Sequence, residues 1–171
     1  MAHRSPLTAA LAALVLSLGV AAPGCDSAAV DAPTLAAAPA TVEATIGGRA
    51  FTLETALTEE DRFRGLSGVG SLPPDGGMVF AFPDAAPRTF VMRDCLIPLD
   101  IVFLDPGGRV IRAAHMPLDP PGTPERDLTP HRSRYPAQFV IELAGGTLET
   151  LDLAEGDPVD LPLEALAAAA E

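Results

Sequence analysis

Apolar and polar positions alternate along residues 42–57. Val42, Ala44 and Ile46 stand against Glu43 and Thr45, and residues 49–57 resume the two-residue period after Gly47-Gly48. This pattern predicts two half-buried strands joined by a tight glycine turn. At Thr58-Glu-Glu-Asp61 the period changes. That stretch is a capping box with Asp in place of Glu, and it predicts a short helix. Glu60 lies four residues before Arg64, Phe63 and Leu66 face inward, and Gly65 ends the helix. A loop over 67–77 follows. The densest apolar stretch then runs from Met78 to Asp105, MVFAFPDAAPRTFVMRDCLIPLDIVFLD, with four of the chain's seven phenylalanines. Pro83-Asp84, Pro87 and Pro98 divide it into three expected strands, 78–82, 89–93 and 99–104. Asp105-Pro106-Gly107-Gly108 turns the chain back into a strand over 109–116.

The pattern lapses between Pro117 and Ala137, where six prolines fall in 21 residues. A loop of that length in a compact domain is usually functional or disordered. A strand over 138–143, a short helix from Gly145 to Leu153 and a last strand over 159–161 complete the domain. The alanine-rich tail, 163–171, is a helix candidate with little to pack against, expected to be loosely held. The fold class is therefore mostly β (α+β), with about eight short strands and two short helices. Its shape is a small antiparallel barrel or a strongly twisted sheet.

Ahead of this domain, 42–162, the character of the chain is different. Residues 1–24 form an export signal, with Arg4 in a short n-region and an apolar run of 16 residues from Leu7 to Ala22. Ala22-Pro23-Gly24-Cys25 resembles a bacterial lipoprotein signal, in which the cysteine becomes the lipidated N-terminus. Ordinary cleavage near Ala22 is the alternative. Residues 25–41, rich in Ala and Pro, make a tether. The expected location is the periplasm or cell surface, with the membrane held through Cys25 alone. Net charge is −12, with 23 acids against 11 Arg or Lys. That balance argues against nucleic acid and against an anionic membrane surface as partners.

Candidate chemistry is sparse. Asp100 and Glu142 are carboxylates set among apolar strand residues, where each needs a cation or several hydrogen bonds. Arg93 is the nearest cation in sequence to Asp100, and an Arg93–Asp100 pair fixing strand register is expected. A general base or ligand carboxylate is the functional alternative. Cys95 with His115 or His131 has the residue types of a thiol nucleophile and its base, although a lone cysteine is more often a packed hydrophobe. No metal-ligand spacing and no phosphate loop is present, so neither a metal nor another cofactor is expected.

Several blocks carry a family resemblance. They are Arg62-Phe-Arg64-Gly65-Leu66, Gly77-Met-Val-Phe-Ala-Phe-Pro83 and Phe90-Val-Met-Arg-Asp-Cys-Leu-Ile-Pro-Leu-Asp-Ile101, with Tyr135, Glu142-Leu143 and Gly156-Asp157. Over residues 42–162 these resemble the exported bacterial and archaeal family called domain of unknown function 192. Members typically read Phe-Trp-Met-Lys-Asn-Thr where this chain has Val91, Arg93, Asp94 and Cys95, so Cys95 is not a family-wide catalytic residue. The resemblance implies a compact, mostly β domain with no settled activity. Two functions follow as expectations. One is a tethered binding or accessory module for an envelope small molecule or protein, using Arg93, Asp100, His115, His131 and Glu142 beside the proline-rich loop. The other is a small hydrolase-like or thiol enzyme using Asp100, Glu142 and Cys95.

Overall fold

A computed structural model describes residues 40–171. The expected export signal, Cys25 and nearly all of the tether lie outside those residues. Six strands and two α-helices make up the domain: β1 (Thr41–Ile46), β2 (Arg49–Ala56), α1 (Glu59–Arg64), β3 (Gly76–Phe90), β4 (Leu99–Leu104), β5 (Val110–Met116), β6 (His131–Ala144) and α2 (Leu163–Ala169). The strands form a single twisted sheet in the order β1-β2-β3-β6-β4-β5. All neighbours are antiparallel except β2 and β3, which run parallel across the α1 connection. The expectation of a mostly β twisted sheet holds, and the barrel alternative is not realised. Residues 156–160 nevertheless bond to both outer strands, through Thr45 on β1 and Val110 on β5. They lace the two edges at one end without completing a ladder.

Local chemistry explains the boundaries. Gly47 and Gly48 both take positive φ, 55° and 77°, as a primed hairpin turn requires. Thr58 caps α1, accepting from the Asp61 N–H at 3.1 Å while its hydroxyl donates to Asp61 Oδ2 at 2.8 Å. Several differences from the sequence reading have visible causes. The expected strand 78–82 and the first two residues of the expected strand 89–93 are parts of one strand, β3, which ends at Phe90. Its prolines coincide with register shifts against β6 at Ala81/Ala86 and Pro87/Thr89, so they bend the ladder instead of ending it. Likewise, β6 starts at His131, which shortens the proline-rich loop. The expected helix over 145–153 is a 3₁₀ turn, Leu148–Thr150, and residues 159–161 make only an isolated bridge between Asp160 and Thr45.

Both faces of the sheet are covered, which is why β4 is buried at all six positions. One face carries Ile46, Phe51, Leu53, Val102, Phe139 and Ile141 beneath α2. The other carries Met78, Phe80, Met92, Ile101, Phe103 and Val140, with Leu66 beside them. The tail expected to be loose is tied down. Leu166 is 1% exposed, Arg62 donates to the Glu171 main-chain oxygen, and the Glu171 N–H bonds Leu57 O at 3.0 Å.

Candidate functional site

The strand period assigns the two internal carboxylates to opposite faces. Asp100 stands across from Leu143 on β6, whereas Glu142 stands across from Ile101. Adjacent strand residues point to opposite sides, so Asp100 and Glu142 share no site.

Asp100 is 1% exposed and fully bonded. On β5 its cross-strand partner is His115, and His115 Nδ1 lies 2.7 Å from Asp100 Oδ1. Oδ2 accepts from the Leu148 N–H at 2.8 Å. The expected Arg93 partner is elsewhere. After Phe90 the chain leaves the sheet and turns at Asp94, whose φ is 52°. Arg93 therefore points away, bonding Glu125 of the proline-rich loop through Nε at 2.9 Å and Phe63 O through Nη1 at 3.3 Å. A histidine one strand away outcompetes an arginine seven residues back, because the ladder fixes its position. Asp100 thus pins β5 and the turn at Leu148 to β4.

Glu142 meets the opposite circumstance. It is 5% exposed, and among the described residues its carboxyl makes no hydrogen bond and no ion pair. Burial alone pushes it up to about 8. The strand beside it is held close: a Cβ at Gly77 would lie 2.4 Å from the Glu142 main-chain oxygen. Glycine at 77 thereby lets β3 approach β6 at this point.

Above Glu142 opens a cleft of about 520 Å³. Phe80, Phe82 and Phe90 from β3 line it, with Arg62 and Phe63 from α1, then Arg88, Arg93 and Cys95. The aromatic rings meet edge to face, Phe80 and Phe90 at 5.0 Å and Phe82 and Phe90 at 6.5 Å. Two guanidiniums lie over Phe82, Arg88 at 3.9 Å and Arg62 at 5.0 Å from its centre, and Arg93 lies 4.1 Å over Phe63. Glu142 is the most buried polar group of the lining. A half-open apolar cavity with a few convergent polar groups is the ordinary form of a small-molecule site.

Of the candidates from sequence, Glu142, Arg93 and Cys95 come together here, while Asp100, His115 and His131 do not line the cleft. Cys95 is half-buried, its thiol 3.6 Å from Arg93 O. Burial first, then the charges of Glu142 and Asp94, push it up to about 11. With neither histidine in the cleft it lacks the imidazole base expected for it. His131 lies buried across from Phe90, its Nε2 unpartnered among the described residues, and burial lowers its pKa. Among the described residues no three His, Cys, Asp or Glu side chains gather as metal ligands. Arg62, Arg88 and Phe82 were missed as site residues. Arg62 belongs to one of the family blocks, but only the fold brings it to within reach of Phe82.

Fold and site together define a small twisted-sheet domain whose cleft sets aromatic rings and arginines over one buried acid. The chain belongs to the family of domain of unknown function 192, described as Uncharacterized ACR, whose model matches residues 42–161. It is similar to a candidate transcription regulator from Sinorhizobium meliloti, at 27% identity and a TM-score of 0.62, covering 72% of this chain and 93% of that one. A protein of unknown function from Novosphingobium aromaticivorans is also similar, at 30% identity and a TM-score of 0.59, covering 70% and 83%. No curated protein matches the chain.

Proposed function

We propose that this chain is an exported, lipid-anchored envelope protein that binds a small organic molecule in the Glu142 cleft. The observation that carries the binding reading is a largely buried carboxyl, facing an open aromatic cavity, that has no partner among the described residues. An unpaired buried polar group costs about 1–3 kcal/mol, and a ligand hydrogen-bonded to it recovers that loss. The apolar run and Cys25 near the start of the chain support export and anchoring. The proline-rich loop supports the rim, since Glu125 holds Arg93 there.

The enzyme alternative loses its parts. Asp100 is spent on His115 and Leu148 on the far face, and Cys95 has a raised thiol and neither His115 nor His131 beside it. The regulator description of the Sinorhizobium protein finds no support in this chain's charge, because DNA binding needs a basic footprint.

A fragment screen by two-dimensional NMR on the full chain tests the binding reading. Neutral, cationic and anionic fragments are each titrated against labelled protein. Shift changes at Phe82, Phe90, Cys95 and Glu142 are expected for one charge class at least. A cleft left unperturbed by every class would sink the reading.

A further inference from the structure

Arg62 and Arg88 share one aromatic ring, and their bonding is incomplete. Arg62 has five N–H donors. Three are used, on Leu57 O, on Ala81 O at 2.9 Å and on Glu171 O. Two remain, and among the described residues no side-chain carboxylate bonds this guanidinium. Arg88 uses Nε on Ala137 O at 3.2 Å and Nη2 on Asp84 O and on Asp84 Oδ1 at 2.8 Å, so Nη1 is unengaged. Arg64, Arg88 and Arg93 each have a carboxylate partner, in Asp61, Asp84 and Glu125, but Asp84 is largely exposed and leaves Arg88 Nη1 without a partner among the described residues.

We infer that the cleft takes a small organic anion, its carboxylate held by Arg62 and Arg88 and a carbonyl or hydroxyl oxygen at its other end hydrogen-bonded to Glu142. The inference rests on the binding reading above and narrows it to one chemical class. Main-chain oxygens and the Phe82 ring hold both guanidiniums in place before any ligand arrives, so little ordering is left to be done on binding. Burial first, then the like charge of Arg88, works against the Arg62 cation, and Glu59, Asp61 and Glu171 offset this only in part. A carboxylate relieves both, and charge-assisted hydrogen bonds to guanidinium are among the strong ones. A cationic ligand would add a positive charge beside two that already repel. Phe80, Phe82 and Phe90 suit an aromatic or aliphatic body between the polar ends. The uncharged carboxyl of Glu142 has a donor to offer and no acceptor among the described residues.

Isothermal titration of the full chain with 3-(4-hydroxyphenyl)propionate, its primary amide and 3-(4-hydroxyphenyl)propylamine tests the class. The three probes share the phenol and its spacer and differ in the charge at the far end. The acid is expected to bind about tenfold or more tighter than the amide, the scale of one charge-assisted contact, and the amine more weakly still. In Arg88→Gln the preference for acid over amide should shrink to within about threefold. Arg62→Gln should do the same, but it also removes bonds to Leu57, Ala81 and Glu171. If that variant does not fold, the wild-type series and Arg88→Gln decide the matter. Equal or better binding of the amide or amine overturns the anion inference and leaves the cleft a binding site. Anions that bind with no loss in Arg88→Gln overturn the assignment of the carboxylate end. Failure of all three probes overturns the class, and the fragment screen then shows whether the cleft binds anything.

Discussion

Glu142, whose carboxyl has no partner among the described residues, is where stability and the proposed function pull apart. Its folded value, about 8, lies above the ordinary 4.5. Below 4.5 both folded and unfolded chains carry the proton and nothing is lost. Between 4.5 and 8 only the unfolded chain releases it, so stability falls as pH rises, by up to about 1.4 kcal/mol per pH unit, and levels off above 8. Glu142→Gln stays uncharged throughout. It should flatten this slope and be more stable than wild type at the alkaline end, read by denaturant unfolding across pH. An unchanged slope would place the pH dependence in other groups. Cys95 is half-buried against the cleft and not sealed in the core. A rise from 9.0 to about 11 leaves about a hundredfold less thiolate at neutral pH, so alkylation should be that much slower than for a free thiol until the chain unfolds. Fast labelling in the folded state would restore the nucleophile. Asp100→Asn should destabilise by about 1.5–3 kcal/mol, the worth of hydrogen bonds to a charged group. Arg93→Met should cost less than about 1 kcal/mol, since its bond to Glu125 lies at the surface. A large Arg93 effect coupled to Asp100 would revive the pair expected from sequence.

Elements were legible where one period governs them, and not where tertiary pairing overrides it. The β1–β2 hairpin, the α1 cap and β4 follow from alternation, a capping box and an unbroken apolar run. Pro83 and Pro87 suggested a break because proline removes a ladder donor. The β3–β6 pairing absorbs them at its register shifts, and partner strands cannot be seen in a local window. The site was half legible for the same reason. Glu142 stood out as an acid among apolar neighbours, but its separation from Asp100 depends on which β6 residue faces which β4 residue. Nothing in sequence brings Arg62 and Arg88 to one ring. In α2 the misjudgement was of context. Seven residues are too few for an independent helix, so this one exists only through burial of Leu166 and the ties at Glu171. Leu166→Ala should therefore cost about 2–5 kcal/mol, as buried leucine truncations do. A denaturation midpoint unmoved by that change would mean the tail is loose after all.

For the molecule as a whole, net charge bears on how the proposed membrane anchor would have to work. A net charge of −12 sets the chain against anionic lipid, and no helix among the described residues is long and apolar enough to cross a bilayer. Attachment would then rest on Cys25, which follows an apolar run and small residues in the manner of a lipoprotein signal. The physics of anchoring sharpens that proposal. One acyl chain gives only marginal, reversible binding, and proteins that rely on one add a basic patch. An acidic domain offers none. If Cys25 is the anchor, the intact mass of the membrane-extracted protein should carry at least two acyl chains' worth of lipid. Cys25→Ser should move the protein from the detergent-extracted fraction to the soluble envelope fraction, with its folding and its ligand cleft unchanged. A variant that stays with the membrane, or a wild-type protein whose mass shows no lipid, would make the lipid-anchor reading wrong while leaving the binding domain as described.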